Sequence, residues 1–342
     1  MTRFFAHANY DFIGLRHYAY GLTAAIIVPG LIWILATGLN YSIEFTGGTL
    51  VQVHTVQPSS AGAIRSALDK SGLHNAEIQQ FGTPQDYTIR VRLSPTEAVD
   101  QQQAARTSAA VDTALARALG ATSFSVRGGQ AVGPKVGGEL RQKALIAILL
   151  SFLATLVYLA FRFEFRFGVA ATIATAHDIL TTLAFIKYMN LEVSLVVVAA
   201  ILTVVGYSLN DTIIIFDRVR ENLHKYKRDD LEGILNRSIN ETLPRSVLTH
   251  GTTMATTLAL LIFAGEVIRP FAWVMTFGIF TGTFSSIYIA SPVLLAIEHR
   301  WPGKDARGVR ARVAAAGAAA RTTVPAPPPA PAPEREPAAK RS

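Results

Sequence analysis

The sequence predicts an α-helical polytopic membrane protein with six transmembrane helices and an α+β domain inserted between the first two. Three observations lead there. Six apolar stretches each approach the ~20 residues that cross a bilayer. Half of the residues are hydrophobic and only 16% are charged, below the ~25% of an ordinary soluble domain. Residues 40–143, between the first two stretches, carry strand and helix patterns instead of a continuous apolar run.

The predicted spans run Tyr18–Leu39, Ala144–Phe161, Phe167–Ile186, Val193–Phe216, Ser246–Ala264 and Phe271–Ile297. The first is longer than the ~7–15-residue apolar core of a secretory signal, so it reads as an uncleaved anchor. Basic residues in short loops set the orientation. Arg218, Arg220, Lys225, Lys227, Arg228 and Arg237 lie between spans four and five. Arg300, Lys304, Arg307, Arg310 and Arg312 follow span six, and Arg162–Arg166 joins spans two and three. Alternation puts all three on one side, the cytoplasm, together with both termini. The opposite loops carry one basic residue each, Lys187 and Arg269. The chain then divides into a cytoplasmic N-terminus (1–17), span one (18–39), an extracytoplasmic domain (40–143), spans two to six (144–297) and a cytoplasmic tail (298–342).

Within 40–143, Thr49–Val56 alternates like a strand, Ser59–Ser71 reads as a helix, and Ala76–Phe81 and Tyr87–Leu93 flank a Thr83-Pro84-Gln85-Asp86 turn. Thr96–Leu119 reads as a helix with Pro95 near its start, and Thr122–Arg127 as a last strand. The order βαββαβ predicts a ferredoxin-like domain. Gly47-Gly48 reads as a tight turn feeding the first strand. In 217–241, the apolar face of Val219, Leu223, Leu231, Ile234, Leu235 and Ile239 predicts an amphipathic segment on the cytoplasmic membrane surface. From Ala306 the Ala-, Pro- and Arg-rich composition predicts disorder.

Several function classes drop out. Without cysteine there is no disulfide, thiolate nucleophile or cysteine metal site. No GxxxxGK[ST] loop is present, so this chain is not expected to use ATP. The histidines His7, His17, His177 and His250 lack zinc-ligand spacing. The net charge of +8 belongs to cytoplasmic loops, and no nucleic-acid partner is expected. No enzymatic activity, cofactor or metal is predicted.

Chemistry is sought where ionisable residues sit inside spans, because each costs about 2.5–3.5 kcal/mol to insert. His177-Asp178 is the first such pair. At about 1.5 Å per residue Asp178 lies ~16 Å from Phe167, near the middle of a ~30 Å core. Thr175, Asp178, Thr181 and Thr182 share a helical face, so Asp178 is either a functional group facing a polar interior or a structural carboxyl capped by threonine hydroxyls and a partner helix. The second is Gly206-Tyr207-Ser208-Leu209-Asn210-Asp211-Thr212, where Tyr207, Ser208, Asp211 and Thr212 share a face. Asp217 beyond it reads as an interfacial charge paired with Arg220 or Arg218. The third is Arg245, where Pro244 suits the first turn of span five. Spans four and five are antiparallel, so Asp211 and Arg245 can reach similar depth; by position alone Arg245 reads as an interfacial arginine snorkelling to headgroups. Thr249, His250, Thr252, Thr253, Thr256 and Thr257 of span five, and Gly278, Gly282 and Ser286 of span six, are expected to pack helices closely; for His250 the alternative is a place in a proton path.

Three segments resemble the SecF branch of the SecD/SecF protein-export family: Ile43-Glu44-Phe45-Thr46-Gly47-Gly48-Thr49, Val132-Gly133-Pro134-Lys135-Val136-Gly137-Gly138-Glu139-Leu140, and Gly206 to Asn222. His177-Asp178 also falls where that family carries His-Asp. The resemblance covers roughly residues 10–300 and implies one half of an assembly of the resistance–nodulation–division superfamily, completed by SecD. It implies export of unfolded secretory polypeptides beside the SecYEG channel and SecA, with YajC and YidC, powered by the proton-motive force with protons as coupling ion. Matched by position, Asp211 is the proton-linked aspartate and Arg245 its partner arginine. Glu44 departs from the aspartate usual in the signature, and Pro244 stands where a small polar residue is expected. A small-molecule or lipid exporter of the same superfamily and a purely structural scaffold are the competing readings.

Overall fold

The computed structural model describes residues 8–57, 59–73, 76–80, 83–91, 101–132, 134–226, 229–265 and 267–301. Six helical spans are long and apolar enough to cross a membrane. The first is α1 (Arg16–Thr37). A single turn, α2 (Ile43–Thr46), leads into the inserted domain. Its elements are β1 (Gly48–Thr55), α3 (Ala61–Lys70), β2 (Glu77–Gln80), β3 (Asp86–Val91), α4 (Gln101–Leu119) and β4 (Phe124–Val132). Four continuous helices follow: α5 (Pro134–Arg162), α6 (Phe165–Tyr188), α7 (Leu195–Lys225) and α8 (Leu231–Phe263). The last span is composite: α9 (Arg269–Ser285), a π-helical turn Ser286–Ala290, and α10 (Ser291–Arg300).

The domain's sheet is antiparallel throughout, in the order β2-β3-β1-β4. Alternation in β1 turns Val51 and Val53 inward, where they pack with Ile64 and Leu68 of α3, Val111 and Leu115 of α4, and Ile89 of β3. Ser60 caps α3 by accepting from the Ala63 N–H at 3.1 Å. Beyond the expected end at Arg127, β4 continues to Val132, and the register shifts opposite Gln52/Val53. There Arg127 has no partner across the ladder, a bulge that lets β4 keep pairing down to Gly48. Expected residues 92–100, Gly133, and the tail from 302 fall outside the described residues.

The root of the domain is held by the α6–α7 connection. The Ser42 N–H donates to the Val193 carbonyl at 2.9 Å, and the Val193 N–H donates to the Asn40 carbonyl at 2.7 Å. The Glu44 carboxylate accepts from the Leu195 N–H at 2.6 Å, placing a negative charge on the N-terminus of α7, where the helix dipole favours one. Buried Arg90 of β3 pairs with Glu192. Gly47 (φ 73°), between α2 and β1, and Gly48 (φ 138°), the first residue of β1, have positive φ, as the expected glycine turn requires. Between sheet and bundle lies a cleft of about 390 Å³ whose lining includes Gln52, Thr88, Gln130 and Trp273.

In the bundle, α6, α7 and α9–α10 are central, whereas α1, α5 and α8 are exposed along most of their length. α9 lies close on α7 because Gly278 faces Val204 and Gly282 faces Ser208; a Cβ on Gly282 would stand 2.8 Å from the Ser208 Cβ. The π turn has a local cause. Pro292 has no N–H to donate, and the Ser291 hydroxyl instead reaches back five residues to the Ser286 carbonyl at 3.1 Å.

Segment 217–241 differs from expectation. It is not a separate surface helix but the end of α7 and the start of α8, with Asp230 capping α8 through the Gly233 N–H at 2.9 Å. Its apolar residues face inward and bury with Phe12, Ile13 and Phe216. The N-terminal residues are stapled to this hairpin: Tyr10 and Asn240 exchange two hydrogen bonds at 2.9 Å, and Arg16 pairs with Glu232 at 3.1 Å. Asp217 pairs chiefly with Arg162 at 2.5 Å and reaches Arg220 only at 3.9 Å, while Arg218 engages Glu241 and Glu221. The expected Asp217–Arg218 pair therefore does not form; adjacent residues on a helix point about 100° apart.

Candidate functional site

Two buried carboxyl groups anchor a polar layer inside the bundle. Asp178 of α6 is 1% exposed. Its Oδ1 lies 3.1 Å from the His177 Nδ1, and its Oδ2 accepts from the Ser208 hydroxyl of α7. Thr181 and Thr182 do not reach the carboxyl. Their hydroxyls donate to backbone carbonyls, Thr181 to His177 at 2.9 Å and Thr182 to Asp178 at 2.7 Å. The threonine part of the expected capping is thus absent, because a helical threonine bonds most readily to the carbonyl one turn back, while the partner-helix part is supplied by Ser208.

Asp211 of α7 is 2% exposed. Oδ1 accepts from the Ser246 hydroxyl of α8 at 2.5 Å, and Oδ2 has no hydrogen-bond partner. A buried polar atom left unpaired costs about 1–3 kcal/mol. One turn earlier on α7, the Tyr207 hydroxyl lies 3.0 Å from the Thr249 carbonyl and 2.9 Å from the Thr253 hydroxyl of α8. One turn later on α8, His250 meets the Tyr207 ring edge-on at 5.3 Å. Thr212 closes the layer on the other side, 2.8 Å from the Ser286 hydroxyl of the π turn. The π turn thus sits at the polar layer, a frequent placement for such irregularities.

One expectation requires correction. Pro244 does not open span five: α8 runs unbroken from Leu231 to Phe263 with Pro244 in its interior. Packing of Leu231, Ile234, Leu235 and Ile239 into the core holds the helix together ahead of the proline. Nor does Arg245 meet Asp211 in this conformation. The two are at similar depth, since Ser246 is the partner of Asp211, but the helical rotation of about 100° per residue sends Arg245 to the exposed face of α8. Asn210 is likewise exposed, on a stripe of α7 with Ala199, Thr203 and Gly206. Of the signature residues, Phe45 and Thr49 are buried, the Thr46 hydroxyl donates to the Ser42 carbonyl at 3.1 Å, and Pro134 begins α5. For His250, packing was expected over a place in a proton path; its four-residue spacing from Ser246 puts it on the α8 face that meets Asp211.

The profile of the family described as protein export membrane protein SecD/SecF, C-terminal, matches residues 111–300, and that of the SecD/SecF GG motif matches residues 32–59. The chain belongs to the SecD/SecF family. It is a multi-pass membrane protein of the Sec protein-transport pathway in the bacterial inner membrane. Protein translocase subunit SecF of Gemmatimonas aurantiaca is 55% identical over 321 residues, covering 92% of this chain and 96% of the relative. Protein translocase subunit SecF of Magnetococcus marinus is 40% identical over 315 residues, covering 92% and 98%. A crystal structure of SecDF, a translocon-associated membrane protein from Thermus, superposes with a TM-score of 0.76 at 34% identity. The match covers 86% of this chain and 39% of the SecDF chain. The super-membrane-facing form of SecDF superposes less closely, with a TM-score of 0.63. In this SecD/SecF chain, Asp178, Asp211, Arg245 and His250 all fall within the C-terminal family match.

Proposed function

We propose that this chain is a SecF-type subunit that pairs with SecD and uses the proton-motive force to promote translocation and release of secretory polypeptides. The observation that carries this reading is Asp211: a buried carboxyl between two helices, held on one oxygen by Ser246 and unpartnered on the other. A scaffold gains nothing from that cost, whereas a group that must take up and release a proton needs an oxygen that is not already committed.

The partner half belongs on the exposed face formed by α7 and α8. Ala199, Thr203, Gly206 and Asn210 of α7 are exposed there, and so are Arg245, Gly251 and Thr252 of α8. Small and polar residues suit helix–helix contact better than lipid, and an arginine at this depth needs a carboxylate or a moving partner. Proton arrival at Asp211 removes its charge and with it the attraction to Arg245 and to groups of SecD. The two halves then shift between two packings. His177 and Asp178 are assigned a supporting part in the same layer, and protons are the coupling ion. SecYEG with SecA, and YajC and YidC, are the proposed neighbours of the complex.

The motion leaves the bundle through α7. Its N-terminus is capped by Glu44 at the root of the inserted domain, and the Arg90–Glu192 pair ties the sheet to the same connection. We assign that domain to the extracytoplasmic side and both termini to the cytoplasm on the distribution of basic residues. Its βαββαβ order with antiparallel strands in the order β2-β3-β1-β4 supports a ferredoxin-like fold.

The test is export into vesicles containing SecD with the wild-type chain or Asp211→Asn, with and without an imposed proton gradient. The substituted complex is expected to assemble and to lose only the gradient-dependent part of export. Unchanged export with an unchanged gradient response would make Asp211 structural and favour the scaffold.

A further inference from the structure

A second titratable group faces the Asp211 site and is not used by the mechanism above. His250 is 7% exposed, and its Nδ1 has no hydrogen-bond partner. It follows Ser246, the donor to Asp211, by four residues, so the two share one face of α8 on neighbouring turns. Tyr207 precedes Asp211 by four residues on α7, and its ring packs against the His250 imidazole. The antiparallel helices therefore set Asp211 opposite Ser246 and Tyr207 opposite His250. Two polar atoms without partners, Asp211 Oδ2 and His250 Nδ1, thus belong to one buried patch.

We propose that His250 is a second proton-carrying residue of this site, receiving at Nδ1 the proton that leaves the Asp211 carboxyl. The two atoms are not in hydrogen-bond contact in this conformation, so the transfer takes place through one intervening water or once the helices bring them within reach; the O–H bond of the carboxyl breaks and an N–H bond on the ring forms. A neutral pair becomes a carboxylate–imidazolium pair of the same net charge, and no other reactant is needed. An imidazole suits this part because it takes and releases protons near neutral pH, whereas the Arg245 guanidinium stays protonated. The transferred proton also gives Asp211 a cationic neighbour in the conformation where Arg245 points outward.

The other ionisable groups around this patch are few. Tyr207 and Asp211 are on α7, Arg245 is on α8 itself, and His177 and Asp178 of α6 reach the layer through Ser208. α9 carries only Arg269, at its far end, and α10 carries Glu298, His299 and Arg300 near its end.

This inference rests on proton coupling at Asp211, and the experiment separates the two. Gradient-driven export by the SecD complex is measured across about pH 5.5–8.5 for wild type, Asp211→Asn, His250→Gln and His250→Ser. The expected result is loss of the gradient-driven component in Asp211→Asn, a fall of roughly tenfold or more in both His250 variants, and a flattened pH profile between pH 6 and 7. An unchanged rate and profile in an assembled His250 variant, with Asp211→Asn inactive, overturns the role of His250 and leaves the coupling at Asp211 standing. Full activity of Asp211→Asn overturns both. Should neither His250 variant assemble, infrared difference spectra of the wild-type complex decide. A carboxyl C=O band that disappears on a pH step with simultaneous growth of an imidazolium band supports the transfer; loss of the carboxyl band alone contradicts it.

Discussion

Asp211 takes one hydrogen bond where a carboxyl has room for several, and that bond comes from Ser246. Ser246→Ala leaves the carboxyl with neither oxygen partnered. The expected cost is about 1–3 kcal/mol, seen as a lower melting temperature of the purified complex in detergent with no loss of helix content. At the other end of the molecule, Asp86 receives the Thr83 hydroxyl at 2.6 Å and lies 2.7 Å from the His54 ring. The Thr83 hydrogen bond, followed by that to His54, holds its carboxyl below the usual value of 3.8. A folded-state pKa below the unfolded one gives stability that is present above the unfolded value and lost as pH falls through the folded one. The end of the β1–β3 ladder at His54 and Asp86 should therefore stay protected at pH 5 and open below about pH 4. Amide hydrogen exchange on the full chain measures this, and Asp86→Asn should remove the acid step. At this scale the sequence singled out Asp211 and Asp178 because buried charge is rare and costly. It did not disclose that Arg245 turns outward, since that depends on one residue's rotation about α8.

Among the elements, the contact of α7 with α9 is set by missing side chains. Gly278→Ala pushes a methyl group into Val204, and overpacking of this kind costs about 1–3 kcal/mol. The variant should insert with six spans but unfold at lower denaturant, as measured by tryptophan fluorescence in micelles. The stripe Gly278, Gly282, Ser286 was legible as four-residue spacing. Spans and strands were legible too, because apolar length and alternation are local properties. The unbroken α8 was not. A proline argues for a helix start, and only the burial of Leu231, Ile234, Leu235 and Ile239 against residues distant in sequence overrides it. The amphipathic stripe of 217–241 was read correctly as a face, but periodicity alone does not say whether a face meets lipid or core.

For the whole molecule, the decisive feature is the joint between bundle and inserted domain, made of Glu44 on the α7 N-terminus and Arg90 with Glu192. Arg90→Glu should loosen the domain and reduce gradient-driven export. The exchanged pair Arg90→Glu with Glu192→Arg should recover part of it, because breaking a buried pair costs more than reversing it. Nothing in the local pattern of residues 40–143 announced this joint, which links β3 to a loop a hundred positions away. The chain has no cysteine, so it adds no background to introduced cysteines. Spin labels placed on Gln130 of β4 and Asn190 of the α6–α7 turn, in the SecD complex in vesicles, give the distance across the joint directly. An imposed proton gradient should shift that distance distribution in the otherwise wild-type chain and leave it fixed in Asp211→Asn. The same shift in both chains, or none in either, would contradict coupling of Asp211 to the domain.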